Sequence, residues 1–597
     1  MSCVCIHRDF SPSLLAAATF SGALACSLAL TLDSQIPCSL DSDCPYSSGQ
    51  GVCDDGFCRA PGASSDPTTT ETASATVGSE STAATTESPT TTTAADTSSS
   101  STATTAQPAC TLNSECETDQ RCGPDGVCLE LLSAHCQTLQ WPSGGEVDDV
   151  VFVGSIIPTS PPFTNLVQPL ENAVQLAIED FNQQTSLQGD RKIAWVGCDD
   201  SAGVSAATSA ATHLVQNVGA PAIVGPIFSE SVLEVANTVT IDAGTLLMAP
   251  AATAMSIADL DDDDLVWRTI AGDVYQSNAI VDRLIVLDDD EPITNLLILA
   301  KDDAYGNGIL NAILDDVEAS LPTADIYFST YPNPTSFGSQ DELLAAYGQV
   351  LAAASGSPAN NPYFTHVLFI GTSEIQALLY AYLGVVWQAQ MGDPMPLFTV
   401  THGAVPEMAR FIEEIGDTKQ TEPLIPLKPL IESRLQGTSP VVLNQANFMA
   451  FSVRYRIRFN DQVPLTSAAL SYDATMSTLF AMCTVASDAA VTGAAIAAGM
   501  PRLVTEGGDP ISFSGANLSF IANARNALAT GGSVDLQGVS GELQWDVATG
   551  DVRADAWGWD ILDASDPPDG SMPVAAPRRI YVLNPAPAED GTWIDIP

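Results

Sequence analysis

One stretch, residues 221–257, constrains the fold more than any other part of this sequence. It contains two successive units in which an apolar strand pattern ends in a loop with a hydroxyl residue and continues as a helical pattern. The runs Ala222–Val224 and Leu246–Ala249 are typical of buried parallel strands. In an open parallel sheet the carboxyl ends of the strands line one crevice. The pattern therefore predicts that Ser229 and Thr253, which follow these strands, face a common site.

The same alternation of strands and helices extends from residue 147 almost to the carboxyl end, with a second series beginning after the acidic segment 288–291. It predicts an α/β fold of two Rossmann-like lobes with parallel, doubly wound sheets. We predict residues 147–290 and 441–535 for the first lobe. Residues 291–440 and 536–585 are predicted for the second, although the late strands fit either sheet.

The charge of the chain excludes one class of partner. Among 597 residues there are 72 acidic and 20 basic ones, giving a net charge of −52. Such a surface repels nucleic-acid phosphates and anionic lipids. We therefore expect no nucleic-acid partner, and membrane contact only through a lipid anchor.

The amino-terminal residues resemble an export signal. Residues 1–32 have a weakly basic start and an apolar run, which is typical of secretory signal peptides. The order Ala-Leu-Ala-Cys ending at Cys26 fits either cleavage after small residues or lipidation of Cys26. An uncleaved anchor is a third alternative. In each case the chain is expected outside the cytoplasm, in the periplasm or at the cell surface.

Cysteines form two short repeated modules, residues 33–60 and 109–136, which begin with similar motifs, CSLDSDC and CTLNSEC. Segments this short need cross-links, so we expect two disulfides in each module, with three connectivities open. A zinc site is the alternative, but the groups contain no His and no C-x-x-C pair, so we expect no metal. The module cysteines are Cys38, Cys44, Cys53, Cys58, Cys110, Cys116, Cys122 and Cys128. Between the modules, residues 61–108 are rich in Ser and Thr, which predicts a disordered stalk, either flexible or glycosylated.

Several motifs in order resemble the type I periplasmic solute-binding proteins, in particular the branched-chain amino acid binding class of ABC importers. The motifs are Gly154 to Pro158, Asp199-Asp200, Gly225-Pro226 with Ser229, PAATA from Pro250, VWRT from Val266, DDAYG from Asp302 and Tyr472-Asp473-Ala474. The resemblance covers roughly residues 147–585. It implies two lobes joined by hinge strands that close on a small ligand, without a cofactor.

The resemblance also implies the site residues. In the first lobe, Ser229, Thr253 and the carbonyl of Ala251 are expected to hold a ligand carboxylate, and helix amino termini favour such anions. The alternative for Ser229 is a helix cap. The other expected ligand-binding residues are Phe163, Phe228, Tyr305, Thr372, Ser373 and His402. His402 stands where the family has an acid that receives an ammonium group, so ligands other than amino acids stay open.

The resemblance leads us to predict a disulfide between Cys136 and Cys198, with Cys483 free. The leading functional hypothesis is a non-enzymatic binding protein that delivers a small polar ligand to an ABC permease. A surface sensor with a membrane signalling partner is the alternative. An extracellular hydrolase is less favoured, because the sequence has five His and neither a G-x-S-x-G nor an H-E-x-x-H motif.

Overall fold

A computed structural model describes residues 109–596 and, before them, four short strands between residues 45 and 59. Inside the main range it leaves out residues 146, 161–163, 335–339, 355–362, 388–393, 405–407, 409–410, 417–421, 441–442, 505–506, 515–517, 562–574 and 587. The predicted signal segment, Cys26, Cys38, Cys44, the stalk and Phe163 lie outside the described residues, as do the side chains of Cys53 and Cys58.

The first sheet has six strands in the order β6-β5-β4-β2-β3-β1. All neighbours pair in parallel except β1, which runs antiparallel to β3. The central strands are buried along their whole length, as their continuous apolar runs predict. The strands are Cys136–Gln140 (β1), Val150–Ile156 (β2), Lys192–Cys198 (β3), Ala222–Val224 (β4), Leu246–Ala249 (β5) and Val266–Arg268 (β6).

The second sheet has eight strands in the order β8-β7-β9-β10-β11-β12-β13-β14. Its first five members pair in parallel, whereas the last three, which come from the carboxyl-terminal part, pair antiparallel. The sheet is thus mixed. The strands are Asn295–Asp302 (β7), Asp325–Pro332 (β8), His366–Ile370 (β9), Leu397–Val400 (β10), Leu435–Ser439 (β11), Ala556–Ile561 (β12), Ala575–Leu583 (β13) and Gly591–Asp595 (β14).

Helices cover both faces of each sheet, which confirms the doubly wound architecture. Separate apolar clusters lie on the two faces of the first sheet and on the two faces of the parallel part of the second. The longer helices are Thr164–Gln184 (α1), Val204–His213 (α2), Ser229–Val235 (α3), Asp273–Asp290 (α4), Ala304–Ser320 (α5), Gln340–Ala354 (α6), Ile375–Tyr382 (α7), Gln445–Arg458 (α8), Thr466–Met482 (α9) and Ser519–Ala529 (α10). Within the described part of the chain, no helix is both long and apolar enough to span a bilayer.

The packing moves the predicted lobe boundaries. Leu536, Val539 and Leu543 belong to the apolar cluster of the first lobe, although residues 536–585 were predicted for the second. A short hairpin, Trp545–Asp546 with Asp551–Val552, continues this packing. The second lobe begins again only at β12. Conversely, α4 contacts β14 through the indole of Trp593, whose Nε1 donates to the carbonyl of Ala279 at 3.1 Å, and therefore packs with the second lobe.

The second cysteine module is built into the first lobe. Its disulfides are Cys110–Cys122 and Cys116–Cys128, and the predicted Cys136–Cys198 bond joins β1 to β3. The module and the first sheet are therefore one packed unit, whereas the prediction began the lobe at residue 147. Sulfur atoms of Cys110, Cys116 and Cys128 lie within 4.8 Å of one another because two disulfides are adjacent. Cys483 is free and buried, as predicted. In the first module, the described backbone pairs Cys53 opposite Cys58.

Candidate functional site

The two hydroxyl loops of the first lobe meet at the carboxyl edge of its sheet. Ser229 is the first residue of α3, and its Oγ accepts a hydrogen bond from the backbone N–H of Ala254 at 3.2 Å. Ser229 and Thr253 are both buried, with exposed fractions of 6% and 2%. The capping alternative for Ser229 is wrong, because Phe228 occupies the cap position and no side chain caps this helix. The hydroxyl instead ties the two loops together.

A glycine permits the close approach of these loops. Gly225, directly after β4, has φ +99°. A Cβ at this position would lie 2.1 Å from the carbonyl oxygen of Ile156 at the end of β2. Any side chain here would therefore force β2 and β4 apart at the edge where Ser229 is held.

A buried ion pair supports the Thr253 loop from below. Arg268, 1% exposed, donates from Nε and Nη2 to the two carboxylate oxygens of Asp551, at 2.5 and 2.6 Å. Its Nη1 donates to the carbonyl of Ala254 at 2.8 Å. Bidentate pairs of this kind fix geometry as well as charge. The loop is thus held in place by Asp551 of the short hairpin, which the prediction assigned to the other lobe. Ala251 packs against the apolar cluster of the first lobe.

A chain of buried polar groups connects the two lobes behind the site. The N–H of Asp273 donates to the carbonyl of Thr253 at 2.8 Å, and its Oδ1 accepts from Gln276 at 3.0 Å. Gln276 in turn accepts from the N–H of His402 at 3.3 Å. Asp273 is fully buried, which raises its pKa to about 7, although the Thr253 hydroxyl and Arg268 oppose this rise. Its Oδ2 has no hydrogen-bond partner among the described residues.

The second lobe contributes a buried ammonium group with two carboxylates. Lys301, at the end of β7, lies 3.1 Å from Asp303 Oδ2, and its Nζ donates to Thr372 Oγ1 at 3.4 Å. Thr372 donates from its N–H and its hydroxyl to Glu374, at 2.9 and 2.5 Å. The hydroxyl of Tyr331 donates to the same carboxylate at 2.9 Å.

Both charges persist in spite of burial. Burial raises the pKa of Glu374, but the Lys301 ammonium and the Thr372 hydrogen bonds outweigh it and hold that pKa below its usual value. For Lys301 burial lowers the pKa, whereas Glu374 and Asp303 raise it more, so the net shift is upward. At neutral pH the group is therefore an ion cluster in the crevice.

The cluster faces the first lobe. The ammonium of Lys301 lies 5.8 Å from the centroid of the Phe228 ring, a cation–π arrangement that joins the two halves. Because Ser229 follows Phe228 directly, the hydroxyl loops and the charged cluster border the same crevice.

The remaining predicted site residues, Tyr305, His402 and Ser373, have different surroundings in the second lobe. Tyr305 is buried, and its pKa is raised chiefly by burial and further by the charge of Asp273. His402 lies near Gln276 and its Nδ1 is 3.2 Å from Ser439 Oγ; burial lowers its pKa to about 4, so it is neutral at neutral pH. Ser373 accepts a hydrogen bond at its carbonyl from the N–H of Gln376, a contact local to α7.

The sequence prediction missed Lys301, Glu374, Asp273 and Gln276. One signal was available for Lys301, since it is one of 20 basic residues and lies near the carboxyl end of a buried strand. Asp273 and Gln276 carry no such signal, because they are connected to the second lobe by the contact of Gln276 with His402, 126 positions away.

Comparison with known proteins confirms the predicted resemblance. Residues 150–382 match the family described as periplasmic binding protein. A search of curated proteins finds no match. A structure described as a possible leucine/isoleucine/valine-binding protein from Rhodopirellula baltica SH 1 has a TM-score of 0.51 at 14% identity, over 73% of this chain and 98% of that one.

Two further structures agree with this result. A periplasmic binding protein type 1 from Bordetella pertussis Tohama I has a TM-score of 0.51 at 15% identity, over 72% of this chain and 100% of that one. A leucine-binding protein from Thermotoga maritima MSB8 has a TM-score of 0.50 at 17% identity, over 71% and 98%. At these identities the likeness shows a shared fold, which is the periplasmic binding protein type I fold.

Proposed function

We propose that this chain, with its periplasmic binding protein fold, is an extracytoplasmic solute-binding protein that closes two lobes on a small, carboxylate-bearing ligand for ABC-type import. The observation that carries the proposal is the crevice between Phe228 and Lys301, which is bordered by hydroxyl loops on one side and by a charged cluster on the other. Lobe closure on a ligand shifts an equilibrium between open and closed states.

The first lobe supplies groups that suit a carboxylate. Ser229 begins a helix, where backbone N–H groups are free of intrahelical partners and favour an anion. Thr253 provides a second hydroxyl beside it. Arg268 and Asp551 hold the loop before the ligand arrives, so little entropy is lost on binding.

The second lobe suits a ligand that also carries a positive group. Around Lys301 stand three acidic residues, Asp303, Glu374 and Glu230. The surroundings are therefore net negative, and His402 adds no charge at neutral pH. An amino acid or a related zwitterion fits this balance, with its carboxylate at the first lobe and its ammonium toward these acids. Some structural neighbours are described as leucine-binding proteins, which is consistent with this class.

The disulfides support the proposed location. Three bonds among the described residues are typical of proteins from oxidising compartments. We propose that the chain works in the periplasm or at the cell surface, with lipidation at Cys26 as one means of attachment. The sensor alternative is favoured by the packing of the second cysteine module onto the first lobe, which a freely diffusing carrier does not need.

Thermal-shift screening of the purified chain against amino acids, carboxylates without an amine, and amides tests the proposal. A true ligand stabilises the folded state by mass action, by about 2.7 kcal/mol at a hundredfold excess over Kd. The variant Ser229→Ala/Thr253→Val is expected to lose this stabilisation. Ser209→Ala is the matched control, because that exposed hydroxyl only donates to a carbonyl of its own helix.

Three outcomes would each contradict part of the proposed function. Stabilisation that survives in the double variant would place the carboxylate elsewhere. Preference for carboxylates without an amine would contradict the role of the acids around Lys301. Conversion of the bound compound into a product would replace the binding function with catalysis.

A further inference from the structure

A second cavity lies at the opposite edge of the first sheet, where the second cysteine module meets the lobe. Its volume is about 300 Å³, and its lining includes residues that precede or begin three parallel strands, Val150, Arg191 and Pro221. The module contributes Asn113 and Arg121. Because Ser229 and Thr253 follow the carboxyl ends of the strands, this cavity is separate from the crevice described above.

Arg121 extends from the module into this junction. Its Nε donates to the carbonyl of Asn217 at 2.5 Å, and its two terminal nitrogens have no hydrogen-bond partner among the described residues. The guanidinium lies flat against Gly219, where a Cβ would come within 2.7 Å of Nη2. Gly219 has φ +67°, which other residues rarely adopt. Glycine at this position therefore permits both this backbone conformation and the close approach of the Arg121 guanidinium.

The positive charge at this cavity is not balanced by acids. Within the described chain, neither Arg121 nor Arg191 has a carboxylate within ion-pair distance, and Arg191 donates to the carbonyls of Gln188, Ala486 and Ala489. The described structure thus places no carboxylate beside these two arginines, although the chain has 72 acidic residues. Burial lowers the pKa of Arg121, since its charge is partly removed from water without compensation. An anion in the cavity would offset that cost.

We propose that the cavity between the second cysteine module and the first lobe is a binding site for a small oxyanion, a carboxylate or a phosphate, held by the terminal nitrogens of Arg121. The planar guanidinium presents two parallel N–H donors, which match the oxygens of such groups. The cavity volume lies at the lower end of the range for small-molecule sites, which excludes large ligands. The module thereby completes a site that the lobe alone lacks.

Calorimetric titration of the full chain with succinate and with inorganic phosphate, at constant ionic strength, tests this site. The titrations use the Ser229→Ala/Thr253→Val background, so that binding in the main crevice does not contribute. We expect saturable binding of one or both anions. Adding Arg121→Gln should weaken it by on the order of tenfold or more, since a charge-assisted bidentate contact is lost. The control is Arg456→Gln, which removes an exposed arginine paired with Asp461.

A second measurement needs no variant. Phenylglyoxal modifies accessible arginines, and mass spectrometry of the wild-type chain reads each site. Succinate or phosphate should slow modification of Arg121 and leave Arg456 unaffected. The proposal is overturned if neither anion binds saturably, if Arg121→Gln binds as tightly as its background, or if the anions give Arg121 no protection. Comparison of the two anions identifies which oxyanion the site prefers.

Discussion

Asp200 is a buried carboxyl group for which the fold provides no partner. It is 3% exposed, and neither side-chain oxygen accepts a hydrogen bond in the described structure. Burial, with a smaller contribution from neighbouring Asp199, raises its pKa to about 7. In the unfolded chain an aspartate ionises near pH 4. The folded state therefore keeps a proton between about pH 4 and pH 7 that the unfolded state has lost, and stability falls as the pH rises through that window.

This predicts a pH-dependent effect of Asp200→Asn. The variant removes the titration, so it should become more stable relative to wild type as the pH rises from about 5 to about 8. At roughly 1.4 kcal/mol per pH unit up to the folded pKa, the gain is about 3 kcal/mol. Urea unfolding at both pH values measures it, with the exposed Asp259→Asn as control. An equal effect of Asp200→Asn at both pH values would show that Asp200 is already ionised in the fold.

The positions of candidate site residues in the fold were predictable where a strand alone determines them. Ser229 and Thr253 follow neighbouring parallel strands, so the edge of the sheet brings them together whatever the rest of the chain does. In the other sheet, Lys301 lies near the carboxyl end of β7 and Glu374 follows β9, but which side chains pair there depends on packing between loops. The link from Asp273 through Gln276 to His402 joins residues more than 120 positions apart, and no local pattern encodes it.

At the level of elements, β1 is held to the first sheet by a covalent bond and by a short ladder. Its residues pair antiparallel with β3, and Cys136 bonds Cys198 across a separation of 62 residues. β1 is an edge strand whose side chains are mostly only partly buried. The cross-link therefore supplies much of what keeps it in place.

We expect the variant Cys136→Ser/Cys198→Ser to unfold at lower denaturant concentration. Removing a disulfide that closes a loop of this length lowers the free energy of unfolding by about 4 kcal/mol, because the unfolded chain gains conformational entropy. Hydrogen exchange should show where the loss acts, with faster exchange in β1 and little change in β4 and β5, which are buried in the sheet centre. Uniform acceleration in all strands would instead indicate global destabilisation without a local role for the bond.

Elements with a strong period were predicted, and elements without one were not. Most parallel strands and their helices follow from continuous apolar runs and helical spacing, whereas β6 (VWR) and β11 (LQGTS) are too short or too polar to give this signal and were not predicted. β1 has the sequence CQTLQ, which gives little apolar signal. The strands β13 and β14 were not predicted, because strand β13 combines two arginines with apolar residues and β14 is largely exposed. Residues 536–552 likewise carry no strong period, and only their packing with the apolar cluster of the first lobe identifies their place.

For the whole molecule, charge opposes compactness. With 72 acidic and 20 basic residues, 52 acids stay without a basic partner even if every Lys and Arg forms an ion pair. Some pairs, such as Arg268 with Asp551, are buried and little affected by salt. Others, such as Arg456 with Asp461, are exposed and contribute little. The remaining repulsion acts on the folded state more than on the expanded unfolded chain.

Salt should therefore stabilise this protein. Raising NaCl from about 0.01 M to about 0.5 M shortens the Debye length from about 30 Å to a few ångströms and screens the repulsion among the acids. We expect the melting temperature to rise by several degrees, with most of the change at the low-salt end, where screening begins. Sucrose at matched osmolality separates screening from general exclusion of solutes, because it stabilises without screening charge. A melting temperature that falls with NaCl would mean that exposed ion pairs outweigh the excess of negative charge.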